Sequence, residues 1–248
     1  MATPTPCGSA TDPWNLHRVI PAKGETEIVD APGRAVTLVF AGGDPVDGDV
    51  AARLPQSDAT VVAADSGVEV ALALGRRVDL VIGDFDSADP AAVEAAVANG
   101  AEVRRYPTDK DQSDLELGLH AARAGGATRV IVVGGYGGRL DHFLANSLLL
   151  ASPAFADLDI EALVGDARIT VIHRKVRLSG APGDLCSLLA VGGPARGVRT
   201  TGLRFPLVGE DLLPGSTRGV SNEFSEPVAT VSLDHGALLA VQPDLGGP

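Results

Sequence analysis

From Ala35 to about residue 157, short runs of β-branched and aliphatic residues alternate with longer alanine- and leucine-rich stretches. A chain with that rhythm has few ways to bury both kinds of segment. The runs pair as a mostly parallel sheet, and the longer stretches cross over it as helices. "AVTLVFAGG" (35–43), "ATVVAAD" (59–65), "VDLVIGD" (78–84) and "RVIVVGG" (129–135) predict strands, with "EVRRYP" (102–107) a weaker one. Residues 68–75, 90–100, 113–126 and 141–152 predict helices. Pro90 near the start and Gly100 past the end punctuate the second helix. Ser113 and Glu116 have capping-box spacing at the start of the third.

After about residue 158 the helical pattern stops. "ITVIHRKVRLSG", "DLCSLLAVGG", "ARGVRTTGLRF" and "VATVSLDHGALLAVQP" are strand-like runs set apart by Gly, Pro and Asp. The expectation is an α/β domain over 34–157, a small all-β sandwich over 158–248, and a loose leader over 1–33 without periodicity. No internal repeat is present in either half.

Charge and cysteine content remove several functions. The 248 residues include 32 acidic and 20 basic ones, a net charge of −12, which argues against a nucleic-acid backbone or an anionic membrane as partner. An anionic substrate then needs local basic groups or a bound metal. Cys7 and Cys186 form no CxxC pair, so neither a disulfide framework nor a structural zinc site is expected. No stretch approaches the length of a membrane span, and "MATPTPCGSATDPW" does not read as a signal peptide. A reducing, cytoplasmic location is the expectation.

In a parallel sheet all strands end on one edge, where ligands bind. Asp65, with Ser66 and Gly67, follows the second predicted strand, and Asp84 and Asp86 follow the third. Asp109, Lys110, Asp111 and Asp114 follow the weak strand, and Arg139 and Asp141 come after the strand ending at 135. Any single Asp here can be a helix N-cap. Asp89, just before Pro90, is expected to be one, and Asp111 is expected to be solvated. Four strand ends delivering acids to one edge point instead to a metal. Asp84 and Asp86, two apart in extended chain, face the same way and can share it. Carboxylate oxygens suit Mg²⁺, which is held by one or two carboxylates plus substrate phosphates. With Lys110 and Arg139 among the acids, metal-bridged phosphate chemistry fits. There is no GxxxxGK[ST] loop, and "GGYGGRL" fails the GxGxxG pattern at Leu140. His142 lies beside Asp141, but no histidines have metal-ligand spacing.

The blocks "AADSG" (63–67), "DLVIGDFDS" (79–87), "TDKDQSDLELGL" (108–119), "GGRLDHFLAN" (137–146) and "GSTRGVSNEF" (215–224) occur in that order. Together they resemble the thiamine diphosphokinase (thiamin pyrophosphokinase) family. The resemblance implies transfer of an intact diphosphate from ATP to thiamine, with Mg²⁺, giving thiamine diphosphate and AMP. It also implies an N-terminal α/β domain, a thiamine-binding C-terminal β-sandwich, and a homodimer whose sites lie between subunits. Asp65, Asp84, Asp86 and Asp114 match the family's acidic positions around metal and phosphates, with Asp84, Asp86 and Asp114 as the expected metal ligands. Arg139 and Asp141 match its GGR-x-D motif. Ser221 and Asn222 match the Ser-Asn of the thiamine pocket, with Ser216 nearby, while Lys110 stands where some relatives carry Gln. Ser66 departs from the usual Ala-Asp-Gly-Gly and adds a Cβ beside the ligand site. The pocket's aromatic is represented by Phe205 or Phe224, between which the sequence does not choose. Either Asp86 or Asp141 is expected to accept the hydroxyl proton.

Three other readings stay open on the residues. One is a diphosphokinase acting on a pterin alcohol. Another takes Asp84-Phe85-Asp86 as a DxD site for a nucleotide sugar. The third is a non-catalytic relative that binds a ligand or partner.

Overall fold

The computed structural model describes residues 35–44, 52–55 and 59–243. The expected leader, 1–33, lies outside them.

The first half alternates as expected: β1 Val36–Ala41, β2 Thr60–Ala64, α1 Gly67–Ala73, β3 Leu80–Gly83, α2 Pro90–Ala98, β4 Glu102–Arg105, α3 Asp114–Ala124, β5 Arg129–Gly134 and α4 Leu140–Leu150. Strands follow to the C-terminal end of the described chain: β6 Asp159–Val164, β7 Ala167–Ile172, β8 Lys175–Ser179, β9 Leu185–Ala190, β10 Ala195–Thr201, β11 Val208–Leu212, β12 Asn222–Glu223, β13 Val228–Ser232 and β14 Leu238–Gln242. Local chemistry sets the ends. Asp89 caps α2 by accepting from the Ala91 N–H at 2.9 Å, and Ser113 caps α3 by accepting from the Glu116 N–H at 3.3 Å.

β1 to β6 form a parallel array in the order β6-β5-β1-β2-β3-β4. Alternate residues of its strands feed two cores, as the two-residue period of a doubly covered strand requires. Leu38, Phe40, Val61, Ala63, Val81 and Ile131 pack against Val68 and Ala71 of α1 and Ala96 of α2. Val39, Val62, Ile82, Val130 and Val132 pack against Leu115, Leu119 and Ala122 of α3 and Leu150 of α4. Full burial of one such side chain is worth about 1.5–3 kcal/mol. β4 is exposed along its length and carries Glu102, Arg104 and Arg105, as suits the free edge of a sheet.

The sheet does not stop where the helices do. β6 pairs in parallel with β5 and antiparallel with β7, and β14, β9 and β12 extend the array to ten strands. β11-β10-β13-β8 form a second, four-stranded sheet. Ile172, Leu188 and Leu238 of the long sheet meet Val176, Leu178, Val198 and Val231 of the short one in a sandwich core. Val171 and Leu239 turn the other way, into the core beneath α3 and α4. The α/β half and the β-sandwich are thus joined through shared strands. No helix among the described residues is long and apolar enough to cross a membrane.

Candidate active site

β2 and β3 are neighbours, and both end on the same edge. Asp65 follows β2 directly. Its φ of 48° is left-handed, a region that Asp tolerates better than most residues. Its N–H donates to the Ile82 carbonyl of β3 at 2.9 Å, and the residue is only 7% exposed. Asp84 and Asp86 follow β3 on either side of Phe85, whose φ is 63°. One carboxylate oxygen each from Asp65, Asp84 and Asp86 lie within 4.8 Å of one another. Gly83 permits this convergence. A Cβ there would stand 2.9 Å from Asp114 Oδ1 and 3.3 Å from Asp65 Cβ.

A positive φ at a bulky residue such as Phe85 is strained, and the surroundings hold it. Arg105 Nη1 donates to the Asp84 carbonyl at 2.8 Å, and its guanidinium lies 4.5 Å from the centre of the Phe85 ring. Lys110 Nζ reaches Asp84 Oδ2 at 2.7 Å and Asp114 Oδ1 at 3.0 Å, with 12% of its side chain exposed. Lys110 bridges the carboxylates that end one strand and open one helix.

These contacts divide the acids electrostatically. The bond from Lys110 holds the Asp84 carboxyl below its ordinary range. Partial burial opposes charge on Lys110, but Asp84 and Asp114 outweigh it and hold the ammonium pKa above its ordinary value. Asp65 behaves oppositely. Burial raises its pKa against a backbone bond from Ser66, and Asp114, Asp86 and Asp84 raise it further. Its Oδ1 is buried without a hydrogen-bond partner. A buried orphan carboxylate oxygen beside two further carboxylates is a donor set suited to a hard divalent cation, so the residues fit Mg²⁺.

A testable consequence concerns stability. The folded state holds the Asp65 proton more tightly than the unfolded chain, whose carboxyl has the ordinary value of 3.8. Asp65 therefore costs stability as pH rises through and above that value. Asp65→Asn is expected to raise the melting temperature of the metal-free protein at neutral pH by a few degrees, on the order of 1 kcal/mol. The same substitution is expected to reduce stabilisation by added Mg²⁺. Calorimetry in EDTA and then in Mg²⁺ measures both, and a lower melting temperature in EDTA would refute the unpaired-charge account.

Arg139 and Asp141 lie after β5, at the start of α4. Arg139 Nε donates to Asp141 Oδ1 at 2.9 Å and Nη2 to Oδ2 at 2.6 Å, with both side chains about two-thirds exposed. The guanidinium holds the Asp141 carboxyl far below the usual range. This pair is made with itself and not with the Asp65–Asp84–Asp86 cluster. The Ser66 side chain makes no cap bond to α1. It lies over Gly42 at the end of β1, where an added Cβ would come within 2.0 Å of its Oγ. Asp111 and His142 are exposed.

The expected thiamine-pocket residues lie elsewhere. Asn222 is buried; its Oδ1 accepts from Phe205 N–H at 3.0 Å and Glu223 N–H at 2.9 Å, and its Nδ2 donates to the Phe205 carbonyl at 2.7 Å. Its amide thus fixes the backbone of Phe205. The Ser221 N–H donates to Ser187 Oγ at 3.0 Å, and Ser216 Oγ accepts from the Arg218 N–H at 3.2 Å. Phe224 is 2% exposed in the sandwich core, whereas Phe205 is 48% exposed with the Arg204 guanidinium 5.3 Å from its ring centre. Of the two candidate aromatics, Phe205 is the one open to a ligand. Among the described residues, the non-glycine residues with positive φ are Asp65, Phe85 and Ser221, each inside a block singled out by sequence.

β12 begins the ten-strand order and β2 lies seven places along it. At about 4.8 Å per strand, one chain separates Asn222 from Asp65 by roughly 30 Å. Arg105 and Gly83 are not singled out by the sequence. The available signal was weak: an Arg-Arg pair in the short strand beside β3, and a glycine before the first acid.

Two family profiles match this arrangement. "Thiamin pyrophosphokinase, catalytic domain" covers residues 51–162, and "Thiamin pyrophosphokinase, vitamin B1 binding domain" covers 170–238. The chain belongs to the thiamin pyrophosphokinase family. Thiamine pyrophosphokinase 1 of Oryza sativa subsp. japonica is 27% identical over 167 residues, 63% of this chain. That alignment spans 62% of the rice protein's length, just under two thirds. Thiamine pyrophosphokinase of Bacillus subtilis (strain 168) is 25% identical over 191 residues, 73% of this chain and 86% of the relative. The crystal structure of thiamin pyrophosphokinase from Geobacillus thermodenitrificans superposes with a TM-score of 0.70 at 27% identity, over 84% of this chain and 96% of that one. The Bacillus subtilis structure gives a TM-score of 0.74 at 24% identity, over 85% and 99%. The α/β-then-β fold class expected from sequence is the fold of this family's solved structures.

Proposed function

We propose that this protein transfers the intact diphosphate of ATP to the hydroxyethyl oxygen of thiamine, giving thiamine diphosphate and AMP. The observation that carries the reading is the cluster of Asp65, Asp84 and Asp86 at the open edge of a parallel sheet, in a chain of this family. Mg²⁺ held there by Asp84, Asp86 and Asp65, with Asp114 adjoining, would offset charge on the phosphate oxygens.

The chain's own groups do the positioning. Lys110, kept protonated by Asp84 and Asp114, supplies positive charge to the diphosphate. Arg139, held in place by Asp141, supplies another from the start of α4. Of the two candidate bases, Asp141 is a poor proton acceptor because Arg139 holds it ionised. Asp86, without a cationic side chain in its hydrogen bonds, takes the hydroxyl proton in this reading on the carboxylate oxygen that it does not give to the metal.

In this reading residues 34–157 bind ATP and Mg²⁺, and residues 158–248 bind thiamine. Phe205 presents the flat face for its rings, and Ser216 and Ser221 come from the block that resembles the family's thiamine pocket. The roughly 30 Å between the two sets of residues supports a homodimer in which each site joins the acids of one subunit to the β domain of its partner. A surface that begins at Arg139 and Asp141 is suited to the contact. Leu140, Leu144 and Leu148 form an i, i+4, i+8 stripe on α4, and they are 69%, 54% and 58% exposed. The cytoplasmic reading rests on composition, above all on two cysteines without a pairing pattern.

The reading is tested by incubating the purified protein with ATP, Mg²⁺ and thiamine and separating the nucleotide products. AMP formed one-for-one with thiamine diphosphate is expected. ADP would mean ordinary phosphoryl transfer, and product formed only with a pterin alcohol would move the assignment to that acceptor.

A further inference from the structure

On the sheet face opposite α3 and α4, at the seam between the long sheet and β8, lies a cavity of about 140 Å³ that the proposed reaction does not use. Its polar lining comes from separate elements: Arg53, Arg129 of β5, Glu161 of β6, Arg168 and Thr170 of β7, and Arg177 of β8. Four guanidinium groups thus face one cavity in a protein of net charge −12. Arg129 opens β5, so the cavity begins about 17 Å along that strand from the acidic edge.

We propose that this cavity is a second, non-catalytic site that binds a phosphate-type dianion. Its geometry is ordered from within. Glu161 Oε1 lies 2.7 Å from Arg168 Nε as an ion pair, and Oε2 accepts a hydrogen bond from Arg129 Nη2 at 3.3 Å, so one carboxylate holds guanidinium groups from the strands on either side of its own. Glu161 and Arg129 are mostly buried, with 13% and 16% of their side chains exposed, so their charges are poorly screened. Arg53, Arg129 and Arg177 have further partners as well. Arg168 Nε is buried and makes no hydrogen bond, so the planar fork of the Arg168 guanidinium keeps N–H donors for an anion. That fork matches the oxygens of phosphate in a way a lone ammonium does not. The buried Thr170 hydroxyl adds a neutral donor. A free phosphate, a free diphosphate and the phosphate of a nucleotide share this chemistry; of these, the proposed reaction itself supplies the nucleotides.

The test uses the full chain in EDTA, where the acidic edge has no metal through which to hold phosphate. Inorganic phosphate, inorganic diphosphate and AMP are each titrated by calorimetry at constant ionic strength, with chloride as the control. Saturable binding is expected for at least one of them, weakened about tenfold or more in Arg177→Gln and in Arg168→Gln. Arg177 is exposed on its strand, so its variant keeps the fold even if removing Arg168 from Glu161 does not. Tightest binding of diphosphate would identify a diphosphate site, and tightest binding of AMP a nucleotide site. Binding no stronger than that of chloride, or equal in wild type and Arg177→Gln, would overturn the proposal. Both substitutions lie outside the acidic edge, so the outcome is independent of whether thiamine is the acceptor.

Discussion

Asp84→Asn is expected to lower diphosphate transfer by at least about 10²–10³-fold without unfolding the protein, and Asp86→Asn to do the same. Asp84 is the centre of the edge. One oxygen accepts from Lys110 and the other from the Asp86 N–H at 3.1 Å, and the carboxylate groups with those of Asp65 and Asp86. Asparagine preserves shape and removes the charge that would hold a divalent cation. The fold should survive because Lys110 keeps Asp114 at 3.0 Å and Arg105 binds the backbone carbonyl of residue 84, which the substitution leaves in place. Asp86 is exposed, with only the Ser87 hydroxyl on its Oδ1 at 2.8 Å, so its replacement is structurally milder still. AMP release followed by chromatography gives the rate, and a circular dichroism melt reports the fold. Near-normal turnover in both variants would sink the assignment of these acids.

The second large effect is recovery of activity by mixing two inactive proteins. Asp84→Asn damages the acidic edge, and Phe205→Ala removes the exposed aromatic of the β domain. If each site is built from one subunit's edge and the other's β domain, a mixed dimer carries one site with both lesions and one with neither. Random reassortment of equal amounts should then restore about a quarter of wild-type activity at low thiamine, where each variant alone is nearly silent. Phe205 suits the experiment because it is 48% exposed and its removal leaves no core cavity. Mixing is done after brief dissociation, with sedimentation to confirm that dimers re-form. No recovery from well-formed mixed dimers would show that each chain completes its own site, against the roughly 30 Å that the strand order places between these residues.

The legible parts of the fold were those governed by local periodicity. β1, β2, β3 and β5 are apolar runs buried on both faces, and α2 and α3 carry their caps in the sequence, so all could be read directly. β6 was harder, because Asp159 and Glu161 interrupt its run and only its later residues are uniformly buried. β11 is exposed over four of its five residues, and β12 has two residues, so neither leaves a pattern to find. The continuity of the long sheet across the change from α/β to all-β was not legible either. It depends on β14 inserting between β7 and β9, a pairing between segments more than forty residues apart in sequence.

The site divides along the same line. That Asp65, Asp84, Asp86, Asp114, Arg139 and Asp141 share one edge follows from sequence, because parallel strands all end on the same side. Whether a given acid is buried and unpaired like Asp65, bridged by lysine like Asp84, or tied to its own arginine like Asp141 depends on contacts between separate elements. The choice of Phe205 over Phe224 depends on which ring the sandwich encloses, and the separation of Asn222 from the acids depends on strand order. A strand's period and a helix's cap are short-range consequences of residue type. Charge states and distances across a site are set only once distant segments have packed, which no local pattern encodes.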